Sequence, residues 1–384
     1  MQITLPTATL ARELALLFGA CDRKTTIPVL GCVLIQAHRA ELPGELSTVT
    51  LTTSDLELSL RVTIEATVDK PGAVAVPVKK LMDWVRLLDS DSVSLTVNKS
   101  GWINLQSGKS KTRMATMDPA SFPEMPEAPE TECELPARPF AAAINRVLFA
   151  ISKEAGRFSL NGALMEFRED RTTRLVTTDG HRLCLADFAG GSSKETHTLV
   201  GYHALRELAK LADLSQLGEA FQYARRDDGN ASTLFFRLGE RLLLSRALSG
   251  SFPEYARVIP KQQPGKAIAP RQAFAKAINR AALFSDDRTR AIRMGITTEG
   301  LTVAAAQADA GESEEAVDAT VTGNGMESGF NSAYLLDFLS AAGTDQFEIR
   351  YKDARSAITL CPVVEGEEAR GAGRYDCVIM PMLV

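Results

Sequence analysis

The chain has 384 residues, of which 45% are hydrophobic and 24% charged, an ordinary globular balance that excludes a mainly disordered protein and implies two or three domains. A formal net charge of −5 excludes a protein that holds nucleic acid by overall positive charge, although a local basic surface remains open. No apolar run reaches the roughly eighteen residues of a membrane span, and Met1-Gln2-Ile3-Thr4 lacks the features of a signal peptide, so no membrane partner and a cytoplasmic location are expected.

In chain order, Leu10-Ala11-Arg12-Glu13-Leu14 opens a first amphipathic helical segment, and Val76 to Leu88 reads as strand end, turn and helix. Alternation at Val93, Leu95 and Val97 and again at Ile103 and Leu105 predicts paired strands, with a turn between them ending at Gly101. Helix-type spacing returns from Phe140 through Ile144 to Lys153, and again from His203 to Asp213. The segments 271–280 and 331–342 supply a third pair of helices.

These segments are copies of one another. Phe140-Ala141-Ala142-Ala143-Ile144-Asn145-Arg146 recurs as Phe274-Ala275-Lys276-Ala277-Ile278-Asn279-Arg280, and Ser121-Phe122-Pro123-Glu124 recurs as Ser251-Phe252-Pro253-Glu254. A repeat of roughly 130 residues implies three successive domains of one α+β fold, each with two helices on antiparallel sheet. Proline-rich connectors at 119–139 and 253–270 place the domains at 1–125, 126–256 and 257–384. The six helical segments are together net basic, so a surface they share would be electropositive on an acidic body, as contact with phosphate requires.

Catalytic motifs are missing. Ser107-Gly108-Lys109-Ser110 resembles the end of a phosphate-binding loop, but the earlier glycine that loop needs is Ile103. Asp179 and His181 would need a nucleophile such as Ser159, and no recognisable elbow presents one. Asp286-Asp287 and Glu312 to Glu315 read as solvated acidic surface, not a cation site. The six cysteines (Cys21, Cys32, Cys133, Cys184, Cys361, Cys377) form no C-x-x-C pair and predict buried free thiols. No catalytic residue, metal ligand or cofactor is expected.

Several segments resemble the bacterial DNA polymerase III β subunit family of sliding clamps, and the likeness runs along the whole chain. They are Thr26-Ile27-Pro28-Val29-Leu30, Thr53-Ser54-Asp55-Leu56-Glu57, Ser159-Leu160-Asn161-Gly162, Thr178-Asp179-Gly180-His181-Arg182-Leu183, Phe252-Pro253-Glu254-Tyr255 and Val378-Ile379-Met380-Pro381-Met382. The resemblance implies three clamp domains per chain and a head-to-tail homodimer forming a closed ring. Such a ring encircles double-stranded DNA without sequence preference and has no catalysis of its own. By similarity, Lys24, Lys79, Lys80, Arg146 and Arg280 would face the duplex; the second repeat has Tyr202-His203 where the family has a basic pair.

The resemblance also implies a hydrophobic pocket that captures short linear motifs of the DNA polymerase III core, the clamp loader and repair proteins. Its wall would comprise Arg157, Leu160, Thr178, Gly180, His181, Arg182, Leu183, Pro253, Val258, Val378, Ile379, Met380, Pro381 and Met382. The dimer contact would set Lys109, Lys111 and Met114 against Leu283, Phe284, Glu312, Glu314 and Glu315, with Thr112 standing where the family commonly has an aromatic.

Overall fold

The structure, a computed structural model, describes residues 1–21, 26–40, 45–98, 101–154, 156–216, 218–229, 231–364 and 373–383. Six α-helices lie among them: α1 (Thr7–Leu17), α2 (Val78–Val85), α3 (Ala137–Val147), α4 (Tyr202–Asp213), α5 (Arg271–Ala282) and α6 (Ser332–Ala341). Every strand ladder between them is antiparallel.

The helices form where the apolar spacing predicts them. α1 buries Leu10, Leu14 and Leu17 on one face, and α5 buries Phe274, Ala277, Ile278 and Ala281. Pro6, Pro77 and Pro270 stand immediately before α1, α2 and α5, where a residue without an N–H leaves no orphan donor. α6 starts instead from Asn331, whose side chain accepts the Ala333 N–H at 2.9 Å. α3 ends earlier than the expected 153: after Val147 the chain tightens into a 3₁₀ turn over Leu148–Ala150.

One compact unit comprises Met1–Arg138 with His203–Ala247. It holds a five-stranded sheet in the spatial order Thr67–Lys70, Gln2–Pro6, Ser92–Asn98, Trp102–Ser107, Ser110–Ala115, and an eight-stranded sheet. The segment that resembles a phosphate-binding loop is only the hairpin turn between the last two strands, with Gly108 at φ 54°. Glu13 on α1 is buried, and its carboxylate takes Arg241 Nη2 at 2.6 Å and Arg12 Nε at 2.9 Å. Burial works against its charge, but the Arg241 and Arg12 guanidiniums outweigh that and hold its pKa below the ordinary value. The recurring Ser-Phe-Pro-Glu has a packing role here: Phe122 anchors the connector on Val29, Leu30, Cys32 and Ala75.

The other unit comprises Pro139–Tyr202 with Leu248–Val384 and holds a nine-stranded and a four-stranded sheet. Phe252, the second copy of that anchor, packs on the cluster of Leu164, Val176, Leu183, Leu185, Leu199 and Val378. The two compact units do not follow the three sequence repeats. In the eight-stranded sheet, strand Arg241–Arg246 of the middle repeat ladders onto Leu58–Glu65 of the first; in the nine-stranded sheet, Arg182–Ala189 ladders onto Tyr375–Ile379 of the third. Strand edges satisfy their free N–H and C=O groups by joining, so the middle repeat lends one sheet to each neighbour.

Of the six cysteines, five are buried and Cys133 is partly so, and all are free thiols. No helix is long and apolar enough to cross a membrane, and no group of His, Cys, Asp or Glu is placed to hold a metal ion among the described residues.

Candidate functional site

The Thr178–Leu183 segment is a turn that stabilises itself. Asp179 Oδ1 accepts the N–H groups of His181 and Arg182 at 3.0 and 3.1 Å. Thr178 Oγ1 accepts from Gly180 N at 3.1 Å and donates to Arg182 O at 2.7 Å. Gly180 has φ 92°, and a Cβ there would lie 2.6 Å from Arg157 Nη1, which donates to Asp179 O at 2.9 Å. The left-handed backbone favours glycine, and any larger residue would also have to displace the end of the Arg157 side chain. Both oxygens of the Asp179 carboxylate are thus engaged, Oδ1 by the turn's own N–H groups and Oδ2 by Arg182 Nε, which gives it a structural role in the turn.

The strand after the turn, Arg182–Ala189, pairs with Tyr375–Ile379, setting Leu183 opposite Val378. Those two residues belong to one apolar cluster, against which Phe252, Tyr255 and Ile259 pack from the Phe252–Ile259 segment. Tyr255 is fixed by donating to Glu166 Oε2 at 2.5 Å. Beyond the strand, Met380 N donates to His181 O at 3.0 Å and Met382 N to Gly329 O at 2.8 Å. The C-terminal segment is thus tied down at Met380 and Met382; Met380 is 45% exposed and Val258 47% exposed. Leu160 is buried at the end of a 3₁₀ turn. Val258 is next in sequence to Ile259, which packs on that cluster, and Met380 lies two residues past Val378; exposed methionine and valine close in the chain to an apolar cluster have the chemistry to receive apolar side chains.

Two members of the expected wall sit differently. Ile379 is wholly buried, on the opposite face of its strand from Val378 and Met380, and is core. Arg182 is 8% exposed, and its guanidinium goes to Asp179, to Asp337 on α6 and to the Phe149 carbonyl. That carbonyl is available because α3 stops at Val147. Arg182 and His181, with Phe149, Lys153, Tyr334 and Asp337, line a cleft of about 880 Å³ that includes no other member of the expected wall. Burial opposes the charge of Arg182, but the Asp337 and Asp179 carboxylates raise its pKa above the ordinary value. Sequence reasoning missed Asp337 and Tyr334; the one signal was that Asp337 is the lone charge in an otherwise uncharged α6.

The expected basic residues divide. Lys79 and Lys80 lie exposed in the first turn of α2, and Lys24 lies outside the described residues. Arg146, in the last turn of α3, is half-buried with its guanidinium 5.4 Å from the centroid of Tyr375. Arg280, in the last turn of α5, donates through Nε to Glu315 Oε2 at 2.8 Å. An expected DNA contact and an expected dimer contact, Arg280 and Glu315, are therefore paired within one chain. Tyr202, at the start of α4, lines the 880 Å³ cleft, and His203 is exposed.

The remaining expected dimer residues lie on sheet edges. Strand Ser110–Ala115 ends the five-stranded sheet, with Lys111 and Arg113 exposed, Thr112 and Met114 half-buried, and Lys109 in the turn before it. Strand Gly311–Val317 ends the four-stranded sheet, with Glu312 and Glu314 exposed on one face. Leu283, just past α5, is 76% exposed, and Phe284 is half-buried beside it.

Comparison with known proteins matches three successive family models of the DNA polymerase III beta subunit: the N-terminal domain over residues 1–126, the central domain over 134–254 and the C-terminal domain over 256–382. The beta sliding clamp of Pseudomonas putida is 31% identical and that of Escherichia coli K12 28% identical, each alignment covering 100% of both chains. Among solved structures, the DNA polymerase III subunit beta of Pseudomonas aeruginosa superposes with a TM-score of 0.86 at 28% identity, covering 100% of both chains. A sliding clamp from Bartonella birtlesii bound to griselimycin gives 0.88 at 29%, again over 100% of both chains. Three clamp domains end to end, each matched in order across nearly the whole sequence, place the chain in the DNA polymerase III beta subunit family.

Proposed function

We propose that two copies of this chain close head to tail into a ring around duplex DNA and act there as a sliding clamp, a processivity factor that catalyses nothing itself. The observation that carries this is the pair of open sheet edges, one presenting Lys111 and Arg113 and the other Glu312 and Glu314. Open edges of opposite charge favour strand pairing in one orientation, and a heterologous contact gives a ring when its rotation closes. Lys109, Met114, Leu283 and Phe284 complete that contact. The three clamp repeats are taken to span 1–125, 126–256 and 257–384.

Lys79 and Lys80 are the strongest candidates for phosphate contact, since both are exposed and neither is in an ion pair among those described. Arg146 adds to them, while Arg280 contributes less because Glu315 neutralises it. Such contacts read no sequence and permit sliding. The apolar site around Leu183, Val378, Val258 and Met380 tethers the DNA polymerase III core, the clamp loader and repair proteins through short linear motifs. Clamps from Pseudomonas aeruginosa and Bartonella birtlesii have been solved with griselimycin bound, and the same compound is expected to bind this chain at that site.

The deciding experiment loads the purified protein with its clamp loader and ATP onto circular and linear duplex. Retention on circles with rapid loss from linear ends is expected, and equal retention on both overturns the proposal.

A further inference from the structure

Two of the free thiols face each other across a ladder that joins two repeats. Cys184 on strand Arg182–Ala189 and Cys377 on strand Tyr375–Ile379 are cross-strand partners, 193 positions apart in sequence, and both are wholly buried. At the two ends of this pairing, Met380 N donates to His181 O and Asp187 N to Arg374 O. Directly opposed residues of an antiparallel ladder alternate between hydrogen-bonded and non-hydrogen-bonded pairs. Counting inward from either end puts Leu183–Val378 and Leu185–Asp376 in the first class and Cys184–Cys377 in the second. Pairs of the second class approach more closely, with Cα atoms about 4.5 Å apart, inside the range that a disulfide spans without backbone movement. The two sulfurs accordingly lie 2.8 Å apart. Cys32, Cys133 and Cys361 stand opposite Pro77, Tyr223 and Glu348 in their own ladders, none of them a thiol.

We propose that Cys184 and Cys377 are an oxidation site: a two-electron oxidant small enough to enter the sheet, hydrogen peroxide, joins them into a disulfide that fastens the middle repeat to the third. One sulfur attacks the peroxide, the O–O bond breaks, and a sulfenic acid forms as the first water leaves. The other sulfur then attacks the sulfenic sulfur; the S–S bond forms, the S–O bond breaks, and a second water is released. Two thiols and one peroxide thus give one disulfide and two waters, each sulfur losing one electron and both thiol protons ending in water. Burial and the neighbouring thiol push the Cys184 pKa up, so the first step is slow and bulky reagents are excluded. The second step is fast, because the resolving thiol already stands in place. A link between strands so far apart in sequence removes much of the freedom of the unfolded chain. Both cysteines lie on the opposite face of their strands from Leu183 and Val378, so the link forms away from the apolar cluster and the inference stands independently of the function proposed above.

The test treats the reduced, full-length wild type and Cys184→Ala with hydrogen peroxide, blocks the remaining thiols with iodoacetamide in denaturant, and reads the digests by mass spectrometry before and after dithiothreitol. A peptide joining Cys184 to Cys377, two hydrogens lighter than its parts and split by dithiothreitol, is expected as the main crosslink of the wild type and is absent from the variant. The melting temperature of treated wild type should rise by roughly 5–10 °C over the untreated protein, with no rise in treated Cys184→Ala. Separate oxidation of the two cysteines to sulfinic acids, a main crosslink through any other cysteine, or no reaction at peroxide concentrations that oxidise the exposed Met380 overturns the proposal. A linked peptide without a rise in melting temperature overturns the fastening of the repeats. Should Cys184→Ala fold poorly, Cys377→Ala takes its place, and the treated and untreated wild type still decide the outcome.

Discussion

At the scale of single residues, what the sequence reveals depends on how far apart the partners lie. The Thr178–Leu183 turn is legible because its hydrogen bonds run between near neighbours: an aspartate followed by glycine favours a turn that the aspartate side chain caps, as Asp179 does here. The Arg182–Asp337 pair is not, since its members are separated by 155 positions and neither carries a local mark of the other. Gly180→Ala is accordingly expected to cost about 1–2 kcal/mol, from the left-handed backbone and the displaced Arg157, and to be seen as a lower denaturation midpoint with weakened griselimycin binding. Glu13→Gln should destabilise by about 2 kcal/mol at neutral pH because it strands the half-buried Arg241. A carboxylate whose pKa is lowered by folding stabilises fully above its unfolded value, and that contribution is lost as pH falls through the folded value. The gap between wild type and Glu13→Gln in denaturant titrations should therefore be full above about pH 5 and shrink on acidification; a gap that widens instead would contradict the assigned ion pair.

At the scale of elements, apolar periodicity located all six helices, because each is a surface helix with one buried stripe. It overran the end of α3, where Leu148, Phe149 and Ile151 keep the apolar character of the helix while the backbone leaves it. Composition does not encode that change, which recurs after α1 as a 3₁₀ turn over Phe18–Ala20 and here leaves the Phe149 carbonyl to accept from Arg182 Nη2. Strand edges were harder still: alternation says which face of a strand is wet but not whether its hydrogen bonds are taken. The exposed acidic pair on Gly311–Val317 and basic pair on Ser110–Ala115 give a prediction at this level. Lys111→Glu should shift the protein toward monomer in sedimentation at micromolar concentration, and adding Glu314→Lys should restore association in part. Failure of the second change to rescue the first would argue that the two edges do not meet.

At the scale of the whole molecule, the repeat was the clearest feature of the sequence, since three degenerate copies of one pattern need no partner to be recognised. Less legible was that the compact units follow sheets instead of repeats, because the ladders between Arg241–Arg246 and Leu58–Glu65, and between Arg182–Ala189 and Tyr375–Ile379, join strands far apart in sequence. The buried thiols give a global check: burial pushes Cys32 up to about 11 and Cys361 up to about 12, so a native sample should react slowly with a thiol reagent at neutral pH and quickly once unfolded.

The shared sheets also bear on how such a chain can change. Its repeats are copies of one pattern, yet in each of two sheets the middle one has one strand edge joined to a neighbour and owns neither sheet alone. Cutting at 125/126 would bare Leu58–Glu65, and cutting at 256/257 would bare Tyr375–Ile379, each a raw apolar edge that seeks a replacement partner. Isolated repeats should therefore self-associate when expressed. Repeats joined through shared sheets make one unit of inheritance, open to point substitution but closed to exchange of one repeat at a time.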